Sequence, residues 1–233
     1  METNWIEKIK KKELCNFFGE IPISTKSVTL FAGENTIGKT ATCLHISKFV
    51  IENKFSVLYF DTEKKLIDRP EPNLLNVFLK DNFDGFKNHF FIENKLFDMN
   101  KDEIDTSYFE SKIKEKKPDL VVIDSIYTPF VTTFPEARAR AGVIGQFLRY
   151  VREIMIQHDI AIVITTKIGR VVKERKEQMA ILGGQELLYN CDTKAKMEVR
   201  EDKLKERRVV FDVDMQKKFI LILEYGGYLK KVK

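Results

Sequence analysis

Short apolar runs rich in β-branched and aromatic residues alternate along this chain with longer segments of helical period. The apolar runs are almost unbroken by polar positions, which is typical of strands buried on both faces of a parallel sheet. Helical segments between such strands predict an α/β fold with a mostly parallel central sheet flanked by helices. The predicted parallel strands are residues 27–32, 56–61, 89–93, 119–124 and 160–166.

Two segments have the clearest helical pattern, residues 41–53 and residues 136–157. In the second, apolar residues between Ile144 and Met155 recur at helical spacing, so this face should pack on the core. Residues 73–87 form a weaker helical stretch, which follows a proline-containing loop.

The pattern changes after Thr166. A polar, basic stretch at residues 167–179 predicts a loop, and Gly183-Gly184 follows it. The alternating runs beyond it predict antiparallel strands that end the sheet. These runs are residues 195–199, 207–214 and 218–225. We expect residues 1–26 to form a basic, helical lead-in and residues 27–233 to form one domain.

Composition fits one globular domain, since 43% of the 233 residues are hydrophobic, and this excludes a disordered or fibrous chain. The net charge is +5, and all of that excess lies after Pro118. Nine of the ten arginines fall between Arg138 and Arg208. Because arginine suits phosphate and carboxylate recognition, the second half either meets an anionic partner or presents an ordinary solvated surface.

The three cysteines form no CxxC pair, which argues against a disulfide framework and a zinc site. A reducing, cytoplasmic setting follows as an expectation. The chain has no apolar run of about 20 residues, the length needed to span a bilayer, so no membrane partner is expected. Its first residues also lack the apolar centre of a signal peptide.

The segment GENTIGKT matches G-x-x-x-x-G-K-[ST] in full and joins a predicted strand to a predicted helix. In such a loop, backbone N–H groups and the helix N-terminus face the phosphates of a nucleotide. Lys39 should reach the β- and γ-phosphates, and the Thr40 hydroxyl should bind Mg²⁺. The predicted nucleotide-binding residues are Gly33, Glu34, Asn35, Thr36, Ile37, Gly38, Lys39, Thr40 and Ala41.

Two acidic residues lie at the carboxyl ends of predicted strands. Asp124 ends the strand 119–124, where it can hold Mg²⁺ through water. Glu63 follows the strand 56–61 by two residues, and it would lie beside the phosphate loop if that strand neighbours the first one. The position suits a residue that orients an attacking water, but the spacing fits a solvated loop glutamate equally well.

The ordered motifs resemble the ATPase core of the RecA/RadA recombinase family. Four segments carry most of the resemblance, and a closing EYGGYLK (224–230) is similar to the family's last strand and turn. The four are GENTIGKT (33–40), VLYFDTE (57–63), VVIDS (121–125), and VITTK (163–167) with its basic stretch and Gly183-Gly184.

The resemblance implies a RecA-like P-loop NTPase domain over residues 27–233 that binds ATP and Mg²⁺. It implies that Lys39 and Glu63 are catalytic and that Asp124 lies near the metal. Two loops of this family contact single-stranded DNA, and they correspond here to residues 128–141 and 168–182. The implied DNA-binding residues are Arg138, Arg140, Arg170, Lys173, Arg175 and Lys176.

Two departures from the family pattern bear on function. Only 32 residues precede Gly33, and none of them forms the F-x-x-A polymerisation motif. Thr166-Lys167 stands where the family usually has Asn-Gln, so Lys167 occupies the γ-phosphate sensor position. Lys167 either supplies charge to a phosphate or ends its strand in solvent. A bare core with an altered sensor is most similar to an archaeal RadB- or RadC-type RadA paralogue.

The leading hypothesis is therefore an ATPase of weak or partner-stimulated activity that assists recombination and DNA repair. Its expected partners are single-stranded DNA, a recombinase or repair protein, and other copies of itself, because nucleotides in this family lie between subunits. The alternative is a KaiC- or ArlH-like ATPase that uses nucleotide to control the assembly of a protein partner.

Overall fold

A ten-stranded sheet with helices on both faces forms the centre of the molecule. The computed structural model describes residues 11–66, 86, 88–100, 103–173, 176–201, 207–224 and 229–231. The strands are β1 (Glu13–Phe17), β2 (Ile21–Ser24), β3 (Val28–Gly33), β4 (Val57–Asp61), β5 (Phe90–Glu93), β6 (Asp98–Asn100), β7 (Glu103–Asp105), β8 (Leu120–Asp124), β9 (Ala161–Lys173), β10 (Lys176–Ile181), β11 (Thr193–Glu201), β12 (Arg207–Val213), β13 (Lys217–Leu223) and β14 (Leu229–Lys231). The helices are α1 (Lys39–Glu52), α2 (Ser107–Lys116), α3 (Tyr127–Thr133), α4 (Ala137–His158) and α5 (Gly184–Tyr189).

The strand order of the main sheet is β14-β13-β12-β11-β3-β9-β8-β4-β5, with β10 paired to β9. From β11 to β5 every neighbouring pair is parallel, whereas β11 to β14 pair antiparallel. The predicted α/β class, the mostly parallel sheet and the antiparallel C-terminal strands are confirmed. β11 takes part in both arrangements, since it runs parallel to β3 and antiparallel to β12.

The central strands are buried on both sides, as their unbroken apolar runs predict. Every residue of β3, β4 and β8 is buried. Phe31 of β3 belongs to the core under α1, whereas Leu30 belongs to the core under α4. The sheet therefore holds the carboxyl ends of β3, β4 and β8 in a rigid, fully packed layer.

The N-terminal lead-in differs from the prediction. Residues 13–24, which we expect to be helical, form the antiparallel hairpin β1–β2. The side chains of β1 alternate between exposed and buried over most of its length, and Phe17 packs its ring 6.0 Å from that of Phe31 and 5.8 Å from that of Phe211. The helical interpretation relied on the lysines near the start of the chain, and residues 1–10 lie outside the described part.

The basic stretch after Lys167 is not a loop. β3 accompanies β9 as far as Lys167, and residues 168–173 then pair with β10. We call this two-stranded extension the β-ribbon; it comprises residues 168–173 and 176–181. Backbone pairing between the two segments forms the β-ribbon, although its sequence mixes charged and apolar residues and lacks the continuous apolar run of the core strands.

The stretch 128–141 is also regular instead of looped. It contains most of α3 and the first turn of α4, with a short connection at residues 134–136. The predicted helix 136–157 is confirmed as α4. The weak helix predicted for residues 73–87 lies outside the described residues except for Phe86, as do residues 225–228 of the closing motif and Arg175 of the basic stretch.

Candidate functional site

The turn between β3 and α1 contains the predicted nucleotide-binding residues 33–41. Gly33 ends β3, and a side chain there would place its Cβ 2.8 Å from Ile37 Cγ2 and 3.1 Å from the Met197 carbonyl oxygen. Gly38 has a φ of 104°, a conformation that L-residues with side chains rarely adopt. Both glycines of the motif are therefore required by the backbone path that leads into the N-terminus of α1.

Lys39 is held inside this turn. Its ammonium donates to the carbonyl oxygens of Gly33 and Glu34 at 2.8 Å and 2.6 Å, and the residue is only 5% exposed. Burial, and then the nearby charge of Lys65, lower the pKa of Lys39 to about 8. The side chain is a desolvated cation at a helix N-terminus, which is an environment that favours an anion close by.

Asp124 connects the turn to the neighbouring strands. Its Oδ2 accepts hydrogen bonds from the Thr40 hydroxyl at 2.6 Å and the Tyr59 hydroxyl at 2.9 Å, and its Oδ1 accepts one from Thr165 at 2.5 Å. Asp124 is completely buried. The structure thus brings Thr40 and Asp124 together, as the sequence predicts, and it adds Tyr59 and Thr165, to which the sequence analysis assigns no role.

Glu63 lies at the same sheet edge, but not for the reason considered above. β4 does not neighbour β3, because β8 and β9 stand between them. Glu63 instead contacts residues that follow β8 and β9. Its Oε1 accepts from Ser125 at 2.9 Å and from Thr128 at 2.7 Å, and it pairs with Lys167 at 3.0 Å. Its Oε2 pairs with Lys65 at 2.5 Å.

These contacts exclude the solvated-loop interpretation of Glu63, whose side chain is 11% exposed. Burial raises the pKa of Glu63, but the hydrogen bonds from Lys65 and Thr128 outweigh it and hold that pKa well below the ordinary range. The ion pair with Glu63 also excludes the interpretation that Lys167 lies in solvent without a partner. Lys65 and Thr128 are site residues that sequence reasoning missed.

A second buried carboxylate, Asp61, lies beside Asp124 in strand register. Its Oδ2 accepts the Leu66 N–H at 2.7 Å, while its Oδ1 has no hydrogen-bond partner among the described residues. Burial raises the pKa of Asp61. Within the described ranges, no group of three or more His, Cys, Asp or Glu residues could hold a metal ion by itself.

The predicted DNA-binding residues occupy two different settings. Arg138 is exposed on the first turn of α4. Arg140 is engaged internally: it donates to the carbonyl oxygens of Phe134 and Pro135 at 2.7 Å and 3.2 Å and lies 5.0 Å from the Tyr127 ring centre. Arg170, Lys173 and Lys176 lie on the β-ribbon, with Lys173 and Lys176 in facing register positions. Arg175 is outside the described residues.

Comparison with protein-family models and with curated proteins finds no match for this chain. In the described part of the chain, no helix combines the length and the apolar character needed to cross a membrane.

Proposed function

We propose that this chain is a RecA-like P-loop ATPase of the RadA-paralogue kind, which binds ATP with Mg²⁺, hydrolyses it slowly and assists DNA recombination and repair. The hydrogen bond of 2.6 Å between Thr40 and Asp124 carries the proposal. It joins the last residue of the phosphate-loop motif to a buried carboxylate at a strand end, which is the pair of oxygen ligands that P-loop enzymes use around Mg²⁺.

The arrangement of the motifs supports the same proposal. The four segments that carry the RecA/RadA resemblance end at one edge of the sheet, and their end residues are in contact. Ligands of open α/β sheets bind at this edge, beyond the carboxyl ends of the strands. Separate chance matches would not be expected to place Thr40, Asp124, Glu63 and Lys167 in one connected group.

Mg²⁺ fits the residues present. Thr40 and Asp124 offer hard oxygen ligands, and Mg²⁺ is commonly bound by one or two such groups together with substrate phosphates. Bound there, the ion would neutralise charge on the β- and γ-phosphates. Lys39 would turn from the Gly33 and Glu34 carbonyl oxygens toward the phosphates, and Glu63 would orient the attacking water.

Nucleotide binding and hydrolysis test this part separately. Titration with a fluorescent ATP analogue should show Mg²⁺-dependent binding that Lys39→Ala weakens by about 100-fold, because a desolvated ammonium–phosphate contact is lost. Glu63→Gln should keep binding and remove most of the slow hydrolysis. Undetectable nucleotide binding would reject the proposal, and hydrolysis unchanged in Glu63→Gln would reject the role of that residue.

We propose that the β-ribbon contacts single-stranded DNA. Lys173 and Lys176 occupy facing register positions at its end, and Arg170 lies on the same β9 strand as Lys173. Lysine and arginine at such positions favour a phosphate backbone, and binding of this kind weakens steeply with salt. The recombinase or repair protein that the paralogue would assist is a second proposed partner.

Fluorescence anisotropy with single-stranded DNA tests the β-ribbon proposal. Arg170→Ala should weaken binding by about 5-fold or more at low salt and reduce the salt dependence. Arg149→Ala is the matched control, since Arg149 is an exposed arginine of α4 that pairs with Glu186. Equal effects of the two substitutions would show that general charge, and not the β-ribbon, decides binding.

One observation favours the alternative, a KaiC- or ArlH-like ATPase that controls a protein assembly. Arg140 is committed to the turn before α4 and to Tyr127, so one predicted DNA contact already has an internal role. Affinity purification separates the two functions: a recombinase or repair protein supports the first, and a motor or membrane complex supports the second.

A further inference from the structure

The carboxylate of Glu63 is surrounded by protein donors. Lys65 pairs with Oε2, while Lys167, Thr128 and Ser125 all lie within hydrogen-bonding distance of Oε1. The hydroxyl oxygens of Ser125 and Thr128 also lie 2.8 Å from one another. Two hydroxyl protons are therefore available for three contacts, two with Glu63 and one between the hydroxyls. An ionised carboxylate has about four acceptor sites, and at least three of them are used here.

This saturation conflicts with the role of a carboxylate that orients water. To accept a hydrogen bond from water in line with a phosphate, Glu63 needs an acceptor site that points toward the reaction centre. The hydroxyl of Ser125 or Thr128 can turn toward the other hydroxyl, but an ammonium has no acceptor and must move away. The two lysines are therefore the contacts that restrain Glu63.

Both lysines also face the phosphate-binding turn. Lys65 follows β4, whereas Lys167 stands opposite Gly33 in strand register. The charges of both act on Lys39, whose ammonium lies in the turn. Their side chains are 21% and 30% exposed, so each has space to move. A terminal phosphate bound at Lys39 would compete with Glu63 for these ammonium groups.

We propose that Lys65 and Lys167 clamp Glu63 in a restrained position, and that hydrolysis waits for a terminal phosphate to draw one of the two ammonium groups away. The proposal rests on the ATP hydrolysis proposed above and names Lys65 as a positioning residue of that site. It gives a physical reason for the slow turnover proposed above.

Substitution of Lys65 tests the clamp. In single-turnover measurements on the full chain, Lys65→Gln should raise the hydrolysis rate by about 5- to 10-fold, the scale expected for release of one partly exposed ion pair. The Kd of ATP should rise by no more than about 5-fold, because Lys39 still anchors the phosphates when the contact between Lys65 and the terminal phosphate is lost. Lys65→Arg should keep the slow rate, and the gain should vanish in the Glu63→Gln background.

Lys64→Gln is the matched control, since the adjacent lysine is exposed and its loss removes the same charge. It should leave the rate unchanged. A Lys65→Gln rate that is equal to or lower than that of the unchanged chain would overturn the proposal, and a lower rate with weaker ATP binding would make Lys65 a phosphate ligand instead.

A readout without turnover separates this proposal from the proposed function. With ¹³C-labelled glutamate carboxyls, Glu63 should titrate well below an ordinary glutamate, and Lys65→Gln should move its midpoint upward by about one pH unit. Lys65, Lys167 and Lys39 are the charged groups that act on it. If Glu63 titrates normally in the unchanged chain, the clamp is absent; if it titrates low but no ATP is hydrolysed, the proposed activity fails while the clamp remains.

Discussion

The turn between β3 and α1 and the β-ribbon begin at the same sheet edge, yet different interactions hold them. The turn is fixed by buried side chains from α1 and β8: Lys39, Thr40 and Asp124 are each at most 7% exposed. The β-ribbon leaves the sheet at Lys167 and is fixed by backbone pairing between β9 and β10. A turn fixed by buried side chains suits a site that must hold its groups in one geometry. A β-ribbon fixed by backbone pairing suits a surface that adapts to a long anionic partner.

The largest effect should come from Asp124→Ala. The substitution leaves the buried hydroxyls of Thr40, Tyr59 and Thr165 without their acceptor, so the free energy of unfolding should fall by about 3–5 kcal/mol. Urea unfolding followed by circular dichroism measures this loss. Asp124→Asn retains an acceptor and should lose less; equal losses for the two variants would contradict a network centred on this carboxylate.

His45 should make the contact between α1 and β14 sensitive to acid. Its Nε2 accepts the Leu229 N–H and its Nδ1 lies 3.0 Å from the Ala41 carbonyl oxygen, so the neutral ring ties α1 to β14. Burial lowers the pKa of His45 from 6.5 to about 4. Below pH 6.5 the unfolded chain therefore binds more protons than the folded one, and stability should fall as the pH drops toward 4.

The loss of unfolding free energy attributable to His45 should reach at most about 3 kcal/mol between pH 6.5 and pH 4. Chemical unfolding at several pH values measures it, and the same series on His45→Gln supplies the control. The Gln variant should lose less stability over this window. Identical pH profiles for the two proteins would show that another group causes the acid sensitivity.

A pair of glycine substitutions tests how tightly the turn is packed. Gly33→Ala places a Cβ against Ile37 and the Met197 carbonyl oxygen, so stability should fall by about 1–3 kcal/mol. Gly142→Ala is the control, because nothing lies within 4 Å of a Cβ there and it sits in the helix α4. Thermal unfolding should show a gain of about 0.5–1 kcal/mol for Gly142→Ala. A neutral Gly33→Ala would mean that the turn can widen.

The same contrast explains what could be predicted from sequence. Unbroken apolar runs identify β3, β4, β8 and β9, and the phosphate-loop motif identifies Lys39 and Thr40, because burial and backbone geometry restrict those positions to few residue types. Strand order is set by long-range packing, so the separation of β4 from β3 could not be read from local patterns. The contacts of Glu63 with Thr128 and Lys167 depend on that order.

Polar segments were harder to predict for a related reason. The β-ribbon and the β1–β2 hairpin have charged residues among their apolar ones, and such mixtures fit a loop, a helix or an edge strand until a partner strand is known. Arg140 illustrates the limit for function. The family resemblance implies a DNA contact for it, whereas its position in the first turn of α4 lets it donate hydrogen bonds to the carbonyl oxygens of Phe134 and Pro135.

Shortening the β-ribbon should have the smallest effect on stability and the sharpest effect on partner binding. Arg170 and Met179 face each other in register, so Asn-Gly can replace residues 171–178 as a two-residue hairpin turn. The free energy of unfolding should change by less than about 1 kcal/mol, since the removed pairs lie beyond the packed sheet. ATP affinity should stay within about two-fold, because Lys39, Thr40 and Asp124 keep their contacts.

The loss of Lys173, Arg175 and Lys176 should weaken single-stranded DNA binding by about 10-fold or more and reduce the slope of log Kd against log salt by about 2. A full-length chain with Lys173→Gln and Lys176→Gln separates charge from length. If the shortened chain loses ATP affinity instead, the β-ribbon belongs to the nucleotide site, and the two regions act as one.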